Sequence, residues 1–150
     1  MSELTPLYLL DTNILVHLVR GDAVWARVRA TYQLLLIDPR PIISVVTAGE
    51  LRSLALQFDW KAEKMDQMEF YLGYWKRVSI DDPEIIRAYA VIDAHGQRTG
   101  QPIGKNDVWI AATAAATGAR LLTTDKDFDR LDPLFLSHDW IDPNTDATRS

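Results

Sequence analysis

The chain has 150 residues, a net charge of −5 at pH 7 and no cysteine. That length suits one domain, in which folding buries roughly 70% of the unfolded chain's surface, and leaves little room for a second. The absent thiols exclude disulfides, thiolate metal sites and cysteine nucleophiles, and the acidic balance argues against a surface built for sequence-blind attraction to nucleic acid. An acid cluster that binds a cation is compatible with the same charge, because the ion reverses the local sign.

At the start, Met1-Ser2-Glu3-Leu4 lacks the basic, then apolar pattern of a secretion signal. No apolar run approaches the ~18 to 20 residues of a membrane span. A soluble, cytoplasmic protein with no membrane association is expected. The strand-length run Leu7–Leu10 comes first. It is followed by a helix with Ile14, Leu15, Leu18 and Val19 on one face, closed by Gly21 where a left-handed residue is wanted. A second helix begins near Asp22 and carries Val24, Val28, Tyr32 and Leu35.

The run Ile42–Val46 predicts a second strand, after which Thr47-Ala48-Gly49-Glu50 has the form of a capping box opening a third helix, with Leu51, Leu54, Ala55 and Phe58. A fourth helix over Lys61–Trp75 precedes the strand Val78-Ser79-Ile80. Asp82-Pro83 is a cap followed by a first-turn proline, opening a helix through Ile85, Ile86, Tyr89, Ala90 and Ile92. Gly96–Gly104 predicts a loop, an alanine-rich helix runs from Asp107 to Gly118, and the strand Leu121–Thr123 leads to Asp125. Residues 1–141 form the expected domain, and 142–150, polar and without large apolar side chains, an expected frayed tail.

Strand-length runs alternating with helical periodicity predict an α/β domain with a mainly parallel sheet flanked by helices. In such sheets, ligands bind beyond the carboxyl ends of the strands, where the strand order reverses. Asp11 and Asp125 directly follow strands, and Glu50 lies one helical turn past another. Asp107 opens a helix that must start at the same edge to lead back into Leu121–Thr123. Each acid has an ordinary explanation: Asp11 as a helix cap, Glu50 in its capping box, Asp107 against a helix dipole, Asp125 in a turn. Caps do not explain why so many begin at one edge. Like charges gathered there raise one another's pKa, and a hard divalent cation neutralises them.

Four segments carry a family resemblance: Leu10-Asp11-Thr12-Asn13-Ile14-Leu15, Ile43 to Leu51, Asn106 to Ala114, and Leu122-Thr123-Thr124-Asp125-Lys126-Asp127-Phe128. In order and content they resemble the successive motifs of PIN-domain ribonucleases, most nearly the VapC-type toxins of toxin–antitoxin pairs. The resemblance implies a three-layer α/β/α PIN-like domain and a metal-dependent endoribonuclease in which Asp11, Glu50, Asp107 and Asp125 form the catalytic acid pocket for Mg²⁺ or Mn²⁺. Thr12, Asn13 and Thr123 fall at positions that orient those acids. Asp127 is the motif's second acid, which assists in some members and in others only turns the chain. The implied partners are an RNA substrate, a cognate antitoxin protein and a second copy of the chain in a homodimer.

Other readings are weaker. Strand-Asp11-Thr12 also resembles an aspartyl-phosphate phosphatase, but the second acid that such enzymes place two residues on is here Asn13. A non-catalytic α/β binding module, with the acids as caps, is the other alternative. His17, His95 and His138 lack metal-ligand spacing, and no glycine-rich phosphate loop is present. Arg52, Arg98, Lys105, Lys126 and Arg130 lie near the motif ends and read as solvated charge. Trp25, Trp60 and Trp75 read as packing residues, and Trp109 points away from the side that Asp107 shares with Ile110 and Ala111.

Overall fold

Five strands form one sheet in the order β3-β2-β1-β4-β5, with every neighbouring pair parallel. They are β1 (Tyr8–Leu10), β2 (Ile42–Ser44), β3 (Lys76–Val78), β4 (Arg120–Thr123) and β5 (Ser137–Trp140). A computed structural model of the protein describes residues 4–144. Met1 to Glu3, read above against a secretion signal, and residues 145–150 of the expected tail lie outside the described residues.

Among the described residues, six α-helices connect the strands: α1 (Thr12–Arg20), α2 (Ala23–Tyr32), α3 (Val45–Gln57), α4 (Ala62–Tyr74), α5 (Pro83–Arg98) and α6 (Lys105–Thr117), and a 3₁₀ helix spans Lys126–Leu131. Successive side chains of a strand point to opposite faces, and the core divides accordingly. Leu10, Ile43 and Leu122 pack with Ile14, Val28, Leu51 and Leu72 under α1 to α4. Leu9, Ile42 and Leu121 pack with Ile85, Ile92, Ile110 and Phe128 under α5, α6 and the 3₁₀ helix. The result is the expected three-layer α/β/α fold. The chain leaves β1 toward β2 and β3, then returns through α5 and α6 to β4 on the other side. Strand order therefore reverses between β1 and β4.

The caps behave largely as read. Asp11 caps α1, which Gly21 closes at φ 63°, and Asp22 caps α2 by accepting from Trp25 N. Asp82 caps α5 ahead of Pro83. Gly118 closes α6 at φ 72°.

Several boundaries differ. Helix α2 ends at Tyr32, where Gln33 takes φ 52°, so Leu35 lies beyond it; α5 runs through Gly96 to Arg98, and α6 starts at Lys105, ahead of Asp107. Val45 and Val46 are not strand residues: Ser44 ends β2 and its hydroxyl accepts the Val46 N–H, so α3 starts before Thr47. Thr47-Ala48-Gly49-Glu50 is therefore not a capping box. Strand β3 spans Lys76–Val78 rather than Val78-Ser79-Ile80, because an edge strand exposed to water tolerates Lys and Arg, and Ser79 and Ile80 lie beyond its end. Strand β5 escapes sequence reading for the same reason, since Ser137-His138-Asp139-Trp140 lies at the opposite edge with each residue only partly buried.

Candidate active site

Asp11 stands at the end of β1, beside the end of β4, with its backbone N–H bound to Leu122 O at 3.0 Å. Its residue exposure is 3%, and it is held from three sides. Thr12 N donates to Oδ1 at 2.8 Å, while Asn13 Nδ2 at 3.1 Å and Thr123 Oγ1 at 2.7 Å donate to Oδ2. Asn13 also accepts the Thr124 N–H through Oδ1 at 3.1 Å, strapping α1 to the end of β4. Thr123 accepts the Asp125 N–H at 3.0 Å. Asp125 in turn accepts from Asp127 N at 2.9 Å and caps the 3₁₀ helix.

Glu50 reaches the same place from the second turn of α3. Thr12 Oγ1 donates to its Oε1 at 2.7 Å and Asn106 Nδ2 to its Oε2 at 3.2 Å. Each carboxylate oxygen thus has a donor from a different helix. Thr12 is further tied to Thr47, Oγ1 to Oγ1, at 3.2 Å. Asp107 lies in the first turn of α6, whose N-cap is Gly104. Among the described residues, no hydrogen-bond donor reaches its carboxylate.

Asp11, Glu50 and Asp107 line one cleft with Asn13, Val16, Arg20 and Leu54, about 320 Å³ in volume. Burial first, then the charges of Asp11, Asp125, Glu50 and Asp127, push the Asp107 carboxyl up to about 7. Burial likewise lifts Asp11 to about 6, the Thr123 and Thr12 hydrogen bonds opposing it and the Glu50 and Asp125 charges adding to it. All four predicted acids therefore share one electrostatic neighbourhood at the strand-order reversal. Asp127 is exposed and lies 3.5 Å from Arg130. Its influence on Asp107 is through charge alone.

The donor set fits a hard divalent cation. It consists of carboxylates, it crowds like charges, and an ion would remove the cost of ionising Asp107 next to Asp11. Among the described residues, no three Asp, Glu, His or Cys side chains are already drawn into a closed metal-ligand set. Asp11 and Glu50 are instead held by the hydroxyl and amide donors named above.

Among the described residues, no other catalytic set is assembled. His17 Nδ1 lies 2.6 Å from Asp22, and His138 sits between Asp132 and Asp129 at 2.8 and 2.6 Å. Trp75 is buried and donates to Leu34 O at 3.2 Å, and the Trp109 ring lies tilted against Tyr89 with centres 4.0 Å apart. A larger cavity of about 750 Å³, lined by Leu18, Trp25, Leu36 and Tyr71 among others, contains none of the four acids. Volume is a poorer guide to chemistry here than converging charge. Sequence reading missed Asn106, Thr47 and Arg20. Asn106 directly precedes an acid at a helix start, and Arg20 follows Asn13 and His17 on one helical face, so the signals existed.

A family model described as PIN domain matches residues 8–134. The chain is 33% identical to Ribonuclease VapC5 of Mycobacterium tuberculosis over 100 residues, 65% of this chain and 73% of that protein. It is 30% identical over 131 residues to Ribonuclease VapC1 of Haemophilus influenzae, covering 85% of this chain and 94% of the relative. Among solved structures it resembles VapBC-5 of M. tuberculosis, described as a member of the VapBC family of toxin–antitoxin systems. The TM-score is 0.68 at 26% identity, over 91% of this chain and 98% of that one.

Proposed function

The chain belongs to the PIN-domain family, and from that premise we propose that it is a metal-dependent endoribonuclease, the toxin of a toxin–antitoxin pair. The observation that carries the reading is the four-way convergence at the reversal point, where burial first, and then the charges of Asp11, Asp125 and Glu50, lift Asp107 to about 7. The relatives, ribonucleases and a toxin–antitoxin assembly by name, support the same substrate class and role.

In this reading Asp11, Asp107 and Asp125 hold Mg²⁺ or Mn²⁺. When bound, such an ion supplies a more acidic water and neutralises charge on the phosphate. The side chains do the positioning. Asp11, locked by Thr12, Asn13 and Thr123, is the fixed reference of the site. Glu50 stands across the cleft with both oxygens oriented by Thr12 and Asn106, which suits a group that aligns the attacking water more than a tightly held ligand. Asp127 shapes the turn and adds negative potential. The aspartyl-phosphate alternative has no support in this geometry: Asn13 is committed to Asp11 and Thr124, and both Asp11 oxygens already accept hydrogen bonds.

A second copy of the chain and an antitoxin complete the proposed partners. Ile86 and Val91 on α5 are 47% and 48% exposed, and a second copy would cover such exposed apolar side chains. Sedimentation of the purified chain tests the dimer. Activity is tested by cleavage of total RNA with Mg²⁺ or Mn²⁺, comparing wild type with Asp11→Asn and Asp107→Asn. Each substitution is expected to lower the rate at least about 100-fold. Undiminished cleavage by a folded, metal-saturated Asp107→Asn protein refutes the assignment.

A further inference from the structure

The cleft does not end at the acids. Helices α1 and α3 both start beside them and run away from the sheet edge together. Along α1 the residues Asn13, Val16, His17 and Arg20 face the cleft, and along α3 Glu50 and Leu54 do. Helical spacing continues the α3 line to Phe58, the residue that caps this helix, about 12 Å beyond Glu50. The two lines meet there: the Arg20 guanidinium lies 5.9 Å from the centre of the Phe58 ring. Phe58 is 52% exposed and lies beside Trp60, with ring centres 6.4 Å apart.

Arg20 differs from three of the cations near the site, while Lys126, next to Asp125, is held over the Trp140 ring at 4.3 Å. Arg52 is paired with Glu69, Lys105 with Asp93 and Arg130 with Asp127. Among the described residues Arg20 has no carboxylate within ion-pair distance. Asp22, which feels its charge, is already engaged by His17 and by Trp25 N. An exposed guanidinium held only against a ring face, beside an exposed aromatic at the end of an acid-lined groove, matches what an unpaired nucleotide needs. The cation meets the phosphate and the ring meets the base.

We infer that Arg20 and Phe58 form a subsite for single-stranded RNA, with the guanidinium on the phosphate that flanks the scissile bond and the Phe58 ring stacked on that nucleotide's base. The inference rests on the endoribonuclease reading and names where its substrate lies. It places one cation in the acid-lined cleft to meet the polyanion.

The test measures binding of a fluorescein-labelled single-stranded oligoribonucleotide by anisotropy, with the full chain carrying Asp107→Asn so that the RNA survives. Adding Arg20→Gln is expected to weaken binding about fivefold to tenfold and to flatten the slope of log affinity against log salt by ~0.7, the signature of one lost phosphate contact. Arg20→Lys keeps that slope. Phe58→Ala weakens binding by about fivefold or more, with the slope unchanged. Unchanged affinity and slope in both the Arg20→Gln and Phe58→Ala proteins overturn the subsite. If the otherwise wild-type enzyme still cleaves RNA, the ribonuclease reading survives that result. If it cleaves no RNA with either metal, both fall.

Discussion

The Thr123 hydroxyl donates to Asp11 Oδ2 across 2.7 Å and accepts the Asp125 N–H at 3.0 Å, so one side chain at the end of β4 fixes the placement of two candidate acids. Thr123→Val keeps the shape and removes both bonds. Asp11 then loses a donor that favours its charged form, and its carboxyl rises further above about 6. The acid limb of the cleavage pH profile should move to higher pH, and stability should fall by about 1 to 3 kcal/mol. An unmoved limb in the folded variant would show that Asp11 does not govern it.

Asn106 supplies the second donor to Glu50, from an exposed position on α6. Asn106→Ala should lower kcat by about tenfold through a freer Glu50, with stability changed by less than about 0.5 kcal/mol. Chemical denaturation run beside steady-state kinetics separates the two effects. A loss confined to stability would make Asn106 a structural residue.

The metal-free protein should weaken as pH rises. The Asp11 and Asp107 carboxyls lie at about 6 and about 7 in the fold against 3.8 ordinarily. Their contribution to stability is therefore complete below about pH 3.8 and is lost as pH climbs through 6 and 7. Asp107→Asn should raise metal-free stability by about 1 to 2 kcal/mol at pH 8, a figure discounted for partial exposure, and by nothing near pH 4. Melting curves at both pH values decide the matter. A destabilised Asp107→Asn protein at pH 8 would contradict the charge crowding.

His138 works in the opposite region of the sheet edge. Burial pulls its pKa down, but the Asp132 and Asp129 carboxylates outweigh that and hold it above the usual 6.5. The stabilisation is complete below about pH 6.5 and is lost as pH rises through the higher folded value. His138→Gln should cost about 1 to 2 kcal/mol at pH 6 and clearly less at pH 9. An equal cost at both pH values would mean that the imidazolium charge is not used.

Ser44, not Thr47, caps α3. Ser44→Ala should destabilise by about 1 kcal/mol, whereas Glu50→Gln, freed from any capping box, should leave stability within about 0.5 kcal/mol while altering catalysis. Equilibrium unfolding in urea distinguishes these outcomes.

The acids could be read from the chain because a buried parallel strand is a short apolar run, so the first acid after it marks the sheet edge. Asp11 and Asp125 follow from that logic, and Asp107 from the direction its helix must take. Glu50 was legible in position but not in circumstance. Val45 and Val46 extend the apolar run of β2, and only the tertiary fold shows that Ser44 turns the chain into α3 before them. Of the two donors that orient Glu50, Thr12 was marked by the family resemblance, whereas Asn106 was hidden for a different reason: it is far from Glu50 in sequence, and a short polar side chain carries no periodic signal of a long-range bond. Edge strands β3 and β5 were obscured by the polar residues that suit them to water.

The central strand β1 has β2 on one side and β4 on the other, and β4 is made from residues 120–123, late in synthesis. A nascent chain that has emerged only through α5 holds Asp11 and Glu50 but neither Asp107 nor Asp125, and nothing yet pairs with the open side of β1. The acid set cannot close until nearly the whole domain has left the ribosome. On the proposed assignment, an unfinished copy lacks the complete acid set.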